Sequence, residues 1–207
     1  MAVLVFRAGQ QKKWWQAGIF GLLLALTRPL GAFIFFPTLL AFWQIEKSYK
    51  KQVFCLLLIP LGLLAYIFYL YWQLEDGLAF LHGQAAFHRL TGLASLEQMF
   101  SAPDIGGKMV LLVDILSGVL AVVAGIFIFI NRKYLAAGLY VLLGVGIPIL
   151  TATWQSMNRY CLVLFPIFIV LALLTKKYWW LHYIYLFLAP LILAAHLIQF
   201  VHYAWAG

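Results

Sequence analysis

The sequence predicts an all-α fold: a polytopic transmembrane helical bundle of about five spanning helices, with an N-terminal helical hairpin and a short amphipathic helix on the outer face. Of the 207 residues, 66% are hydrophobic and only 10% are charged, whereas a soluble domain carries about 25% charged residues. The lysines and arginines also cluster at the ends of apolar runs, which is typical of membrane proteins. We therefore interpret 1–207 as a single multi-pass membrane domain.

The first apolar run, 14–44, is interrupted at Arg28. One kinked helix would place the lysine clusters before and after this run on opposite sides of the membrane, whereas a hairpin with Arg28 at its tip places both on one side. The preference of basic residues for the cytoplasmic side favours the hairpin. Each arm spans only about 20 Å at 1.5 Å per residue. We therefore expect tilted or re-entrant arms in a hydrocarbon core about 30 Å thick.

Further apolar runs are interpreted as spanning helices, and one long polar connection lies between the first two of them. All eight tryptophans fall at the predicted membrane interfaces, as aromatic belts do. With the Lys-rich turns in the cytoplasm, the connection lies on the outer face, and the short chain without long loops favours a bacterial inner membrane. The predicted spans are 52–73, 108–130, 134–151, 161–174 and 178–205, and the outer loop is 74–107.

Charge and cysteine content exclude some functions. A net charge of +8 would suggest nucleic acid as the partner of a soluble protein, but the cytoplasmic bias of basic residues explains it here, and we expect no nucleic acid. Cys55 and Cys161 lie near opposite faces in the predicted topology and cannot pair, and their spacing indicates no metal site. The run 1–6 is too short for a signal peptide.

Arg28 places a guanidinium at the tip of the predicted hairpin. A guanidinium binds phosphate through a fixed fork of donors, and the low dielectric of a membrane interface strengthens the attraction. The alternative is an arginine whose head extends to the lipid headgroups without a specific ligand.

The outer loop contains a predicted short amphipathic helix, 77–90. Gln84 and His88 are four residues apart, so that one ligand can contact both, and Arg89 beside them can face a phosphate. The alternative is an interfacial helix that only anchors the loop.

Asn158, Arg159 and Tyr160 directly precede the predicted span 161–174. Arg159 is expected at the outer mouth with its neighbours as hydrogen-bonding partners; the alternative is a loop arginine beside an interfacial tyrosine. Three arginines on one predicted face indicate a lipid-linked phosphate bound at the outer leaflet. They are Arg28, Arg89 and Arg159.

Asp114 is the candidate intramembrane acid, because ionisable residues within the membrane are functional candidates by default. It either pairs with an outer arginine or reaches interfacial water without a role. The loop acids do not identify a catalytic base by their spacing, so the catalytic residue is unknown from the sequence. These acids are Glu75, Asp76, Glu97 and Asp104.

Three segments resemble, in order, motifs of the PIG-V-like mannosyltransferases. Residues 26–31 (Leu-Thr-Arg-Pro-Leu-Gly) resemble a Thr-Arg segment that ends in Gly. Residues 80–89 resemble an outer-loop pattern of Phe, Gln, an aromatic residue and Arg. Residues 156–160 (Ser-Met-Asn-Arg-Tyr), followed by Phe-Pro at 165–166, resemble a Ser-x-x-Arg-Tyr element. The resemblance covers roughly 10–175.

The resemblance implies a multi-pass glycosyltransferase of the GT-C type. Such enzymes take a sugar, usually mannose, from a polyprenyl- or dolichyl-phosphate carrier and transfer it to an acceptor on the extracytoplasmic or lumenal face. It implies that Arg28, Gln84, Arg89 and Arg159 line the donor-phosphate and acceptor region. No metal and no cofactor beyond the lipid-linked donor are expected.

The resemblance also implies a missing part. Members of this family are about twice as long, and the acidic residue regarded as their catalytic base precedes everything matched here, so the chain resembles their C-terminal half. We therefore expect a membrane glycosyltransferase, either whole or completed by a separate polypeptide. The alternative is a non-catalytic membrane protein: a remnant, an accessory subunit, or a lipid-phosphate binder or transporter.

Overall fold

A computed structural model describes residues 1–46, 51–86, 105–151 and 157–201. The regular structure of these residues is helical, with no strand among them, which confirms the predicted all-α membrane helical bundle. Three short 3₁₀ helices join the α-helices: η1 (Pro29–Ile34), η2 (Lys51–Leu57) and η3 (Arg132–Tyr134). The α-helices are α1 (Ala2–Gln10), α2 (Trp14–Thr27), α3 (Phe35–Ile45), α4 (Leu58–Leu74), α5 (Ala79–Ala86), α6 (Ile105–Ile130), α7 (Leu135–Thr151), α8 (Met157–Leu162), α9 (Phe165–Lys177) and α10 (Trp179–Val201).

Three helical stretches within the described residues are long and apolar enough to cross a membrane: Lys51–Leu74, Leu112–Ile130 and Arg132–Leu150. Their large side chains are mostly exposed, as lipid-facing residues are. α10 runs for 23 residues with Pro190 inside it. Shorter apolar helices, α2 among them, complete the bundle.

The predicted span 161–174 is wrong as one continuous helix. α8 ends at Leu162 and α9 begins at Phe165, with Pro166 in its first turn. Proline disfavours helical geometry in the residue before it and lacks the N–H that a preceding turn would need. The chain therefore leaves one helix and starts another here. We call Val163, Leu164 and the first residue of α9, Phe165, the link 163–165; within it the side chain of Leu164 is buried.

α2 and α3 form the two arms of a hairpin around Arg28. Arg28 is extended (φ −152°, ψ 131°), and Pro29 begins η1 directly after it. At the other end of the arms the ring of Trp14 meets the ring of Phe42, with centroids 4.8 Å apart. The beginning of α2 and the end of α3 therefore lie at the same face of the bundle. Trp14 is only 1% exposed, so its ring packs inside the protein at this end of the arms.

Two apolar clusters form the core. The first joins α1, α2, α3 and η2 around Val5, Trp14 and Leu56, and the second joins α6, α7, α8 and α9 around Val141 and Met157. Val5 is fully buried, so the N-terminal residues pack in the core as α1.

An aromatic triad joins the two clusters. The ring centroid of Tyr140 on α7 lies 5.6 Å from that of Phe6 on α1 and 6.0 Å from that of Phe165 on α9. The centroids of Phe6 and Phe165 are 5.5 Å apart. Through these three rings α1 packs against the second half of the chain.

Small residues bring α2 and α4 into close contact. A Cβ atom added at Gly62 on α4 would lie 2.8 Å from the carbonyl oxygen of Leu22 and 3.0 Å from the Cβ of Ala25. A Cβ at Gly21 on α2 would overlap the side chain of Ile59. Close approach through small residues is a common mode of helix association in membranes. Here it fixes the position of α2, the helix that directly precedes Arg28.

Candidate functional site: a cavity beside Arg28

The end of α2, the N-terminal residues, η1, α7 and the link 163–165 surround a cavity of about 380 Å³. We call it the Arg28 cavity. Its lining is apolar except for Arg28, the hydroxyls of Thr27 and Tyr140, and backbone groups. The other lining residues are Met1, Ala2, Val3, Leu24, Leu30, Gly31, Phe33, Ile34, Leu143, Gly144, Val163, Leu164 and Phe165.

Backbone hydrogen bonds fix the position of Arg28. Its N–H donates to the carbonyl of Leu24 at 3.2 Å, and its own carbonyl accepts from the N–H of Gly31 at 2.8 Å. The hydroxyl of Thr27 also donates to the Leu24 carbonyl, at 2.7 Å. The extended conformation of Arg28 is the one that a following proline favours. The main chain is thereby held while the side chain remains exposed.

The guanidinium of Arg28 makes no hydrogen bond or ion pair with any residue in the described ranges. Asp and Glu are absent from the described lining of the cavity. Near a protein surface the effective dielectric is lower than in bulk water, so an exposed guanidinium beside apolar side chains attracts an anion more strongly than it would in bulk water. The fork of donors on Arg28 is therefore available to an anionic ligand.

Tyr140 and the link 163–165 form the wall of the Arg28 cavity that α7 and α9 contribute. The hydroxyl of Tyr140 donates to the carbonyl of Val163 at 3.3 Å. The side chain of Leu164 is almost fully buried and packs so closely on Gly144 that a Cβ there would overlap it. This wall depends on the break between α8 and α9, which the sequence did not lead us to expect.

Asp114 holds the beginning of α8. Its side chain is fully buried, and its Oδ1 accepts a hydrogen bond from the backbone N–H of Asn158 at 3.0 Å. The N–H of Arg159 donates to the side-chain oxygen of Asn158 at 2.6 Å. An acidic side chain at a helix N-terminus is stabilised by the free N–H groups there. Asp114 therefore has a structural contact with α8.

The predicted site residues fall into two groups. Arg28 lines the cavity, whereas the described lining does not include Asn158, Arg159 or Tyr160. Arg159 is exposed on α8, and Tyr160 is half-buried against the second core cluster. The two groups are joined through the chain itself, because α8 leads directly into the link 163–165.

The predicted outer-loop residues lie at the edge of the described ranges. Gln84 belongs to α5, and only its backbone is described. His88 and Arg89 lie outside the described residues. The backbone of α5 begins at Ala79, so the helix predicted over 77–90 starts two residues later than expected.

Asp76 and His82 form a pair at the beginning of α5 that the sequence analysis did not single out. Asp76 Oδ2 lies 2.7 Å from His82 Nδ1, and Asp76 Oδ1 accepts from the N–H of Leu78 at 2.9 Å. These bonds, that with His82 first, lower the pKa of Asp76 below its ordinary 3.8. The bond from Leu78 is that of an Asx turn, in which an aspartate accepts from the N–H two residues further on, and aspartate is a common turn residue for this reason.

Among the described residues, no group of three or more His, Cys, Asp or Glu side chains is placed to hold a metal ion. Comparison with protein-family models, with curated proteins and with solved structures finds no match to this chain.

Proposed function

We propose that this chain is a membrane glycosyltransferase of the mannosyltransferase type, or its C-terminal part. It transfers a sugar from a polyprenyl-phosphate carrier to an acceptor on the extracytoplasmic face. The observation that carries the proposal is the Arg28 cavity, where one guanidinium without a protein partner in the described ranges stands among apolar walls.

The chemistry of the donor matches this lining. A polyprenyl phosphate has an anionic head and a long apolar tail, so its phosphate pairs with Arg28 while isoprene units contact the apolar walls. Arginine binds phosphate by paired, charge-assisted hydrogen bonds. As the sugar leaves, negative charge grows on the phosphate, and a cation already in place stabilises that transition state.

A second candidate function is a lipid-phosphate binder or accessory subunit without catalysis. It is favoured by the absence of a carboxylate from the described lining of the Arg28 cavity and by the bond that engages Asp114 with α8. Sugar transfer to a hydroxyl needs a general base within hydrogen-bonding reach of that hydroxyl. For the chain to act as a glycosyltransferase, a separate polypeptide or a residue outside the described ranges must supply this base.

Membranes that contain the full chain test both functions. We would measure binding of labelled polyprenyl-phosphate mannose and sugar transfer to endogenous acceptors, for the wild type, Arg28→Gln and Arg28→Lys. Loss of a charge-assisted pair weakens binding by about 1.5–3 kcal/mol, or at least tenfold. Arg28→Lys keeps the charge but loses the fork and is expected to bind at an intermediate level. Arg7→Gln is the matched control, because Arg7 is exposed and does not line the cavity.

The outcomes separate the two functions. Binding and transfer that both fall in Arg28→Gln, with Arg7→Gln unchanged, support the enzyme. Binding that depends on Arg28 without any transfer supports the binder. If co-expression of an upstream polypeptide with an acidic outer loop then restores transfer, the chain is one part of an enzyme. Equal binding by Arg28→Gln and the wild type refutes the site.

For localisation we propose the bacterial inner membrane, with the Lys-rich turns in the cytoplasm. The support is the clustering of basic residues at the ends of apolar runs, which follows the positive-inside rule. Single cysteines introduced at Lys13 and Lys133, in a chain without Cys55 and Cys161, should react with a membrane-impermeant reagent only after the cells are opened. Labelling of these cysteines in intact cells would show that the Lys-rich turns face the outside and would contradict the proposed orientation.

A further inference from the structure

A second cavity, of about 440 Å³, lies between α1, α3, η3 and the first turn of α7. We call it the Arg132 cavity. α1 contributes its last residues to this cavity and its first residues to the Arg28 cavity, so the two open at different levels of the bundle. The polar lining residues are Gln10, Thr38, Gln44, Arg132, Lys133 and Tyr134, and the others are Val5, Phe6, Gly9, Ala41, Ile45, Ala136 and Ala137.

Hydrogen bonds to the backbone fix the turn that carries the two basic residues of this cavity, Arg132 and Lys133. The side-chain amide of Gln44 donates to the carbonyl of Arg132 at 3.0 Å, which ties η3 to the end of α3. The side-chain oxygen of Asn131 accepts from the N–H of Lys133 at 3.2 Å. The Lys133 ammonium lies 5.5 Å from the centroid of the Tyr134 ring. Both basic side chains are exposed, on a turn whose backbone is fixed.

The lining combines a positive rim with an apolar floor. Arg132 and Lys133 bring two positive charges, and the described lining contains no Asp or Glu. Thr38 is not a free donor, because its hydroxyl already donates to the carbonyl of Ile34 at 2.7 Å. The partly accessible side chains of Ala41, Ile45 and Ala137 present hydrocarbon to the same space. A small anion would contact only the two basic side chains, whereas an amphiphile with an anionic head would contact both the basic side chains and the apolar lining.

We propose that the Arg132 cavity binds the phosphate headgroup of an anionic phospholipid from the adjoining leaflet. Arg132 and Lys133 hold the phosphate, and one acyl chain lies along the apolar side of the cavity. Basic pockets between transmembrane helices are suited to anionic headgroups, and a guanidinium matches the geometry of phosphate oxygens. This site is separate from the Arg28 cavity and does not depend on the proposed sugar transfer.

Lipid binding to the purified full chain in detergent tests the proposal. Native mass spectrometry would count bound phosphatidylglycerol and phosphatidylcholine with identical acyl chains. The test variant is Arg132→Gln with Lys133→Gln. The matched control is Lys176→Gln with Lys177→Gln: it removes the same charge from another turn, where Lys177 also lies over a tyrosine ring, 5.1 Å from its centroid.

We expect the wild type to retain phosphatidylglycerol in preference to phosphatidylcholine. The Arg132/Lys133 variant should bind phosphatidylglycerol at least tenfold more weakly, and the Lys176/Lys177 variant within about twofold of the wild type. Ala41→Phe adds a ring to the cavity wall without changing charge and should also lower binding. This variant keeps the test decisive if the double variant does not fold.

Two outcomes would overturn the proposal. Equal loss of phosphatidylglycerol from both double variants would mean that net surface charge alone attracts the lipid. Full displacement of the lipid by millimolar inorganic phosphate, with Ala41→Phe unchanged, would mean that the rim binds a free phosphate and the apolar side holds no chain.

Discussion

The close contact between α2 and α4 predicts that two glycine-to-alanine substitutions change the free energy of unfolding in opposite directions. Gly62→Ala should lower it, and Gly146→Ala should raise it. Gly62→Ala would place a methyl group 2.8 Å from the Leu22 carbonyl oxygen. Close but relaxed carbon–oxygen contacts in proteins begin at about 3.3 Å, so the helices must separate by about half an ångström. The obstacle is backbone, which cannot rotate away as the end of a flexible side chain can.

The expected magnitude follows from two opposing effects. An overpacked methyl group in a closely packed site destabilises by about 1–3 kcal/mol. Replacing glycine by alanine inside a helix stabilises by about 0.5–1 kcal/mol. A gap of half an ångström also weakens the remaining contacts across the interface by about a quarter. Gly62→Ala should therefore lower the free energy of unfolding by up to about 2.5 kcal/mol.

Gly146→Ala is the matched control, because a Cβ at Gly146 on α7 meets no atom within 4 Å. Only the helix-propensity effect then remains, and we expect a gain of about 0.5–1 kcal/mol. Titration with SDS from mild detergent micelles, followed by far-UV circular dichroism, measures both variants against the wild type. A Gly62→Ala protein that is stabilised as much as Gly146→Ala would refute the packing argument.

Three further outcomes are expected. Asp114→Leu should destabilise the fold by about 1–3 kcal/mol in the same titration, because the Asn158 N–H loses its acceptor. Asp114→Asn keeps an acceptor oxygen and should keep most of the stability, so equal stabilities of these two variants would contradict a role for this hydrogen bond. His82→Ala should raise the pKa of Asp76 toward its ordinary 3.8 in an NMR titration, and an unchanged pKa would contradict it. Because that pKa is lowered by folding, its contribution to stability is present above about pH 4 and is lost as the pH falls through the lowered pKa. Gly144→Ala should weaken binding of labelled polyprenyl phosphate, because its methyl group presses on a buried leucine in the wall of the Arg28 cavity; unchanged affinity would count against that wall as part of the site.

Composition and local chemistry were sufficient to predict the helical fold class and the interruption at Arg28. Proline after arginine favours extended backbone locally, and apolar content with clustered charge reflects the membrane environment. These are properties of the chain that do not depend on which segments meet.

The parts that sequence analysis missed depend on long-range packing. The burial of Trp14 follows from its contact with Phe42, and the local sequence does not distinguish a tryptophan that faces lipid from one that packs against another helix. The bond from Asn158 to Asp114 joins residues 44 positions apart. The Arg28 cavity exists because Tyr140 and the link 163–165 are brought opposite the end of α2, and no periodicity in the sequence encodes that approach.

The aromatic triad lies between the two cavities, although α7 lines both. Phe6 lines the Arg132 cavity, and Tyr140 and Phe165 line the Arg28 cavity, so the three rings in mutual contact lie between the two spaces. A phosphate that pairs with Arg28 is therefore separated from Arg132 by packed rings, and such packing leaves few voids larger than a water molecule. The two anionic ligands that we propose would enter from different levels of the bundle, and neither needs to be displaced for the other to bind.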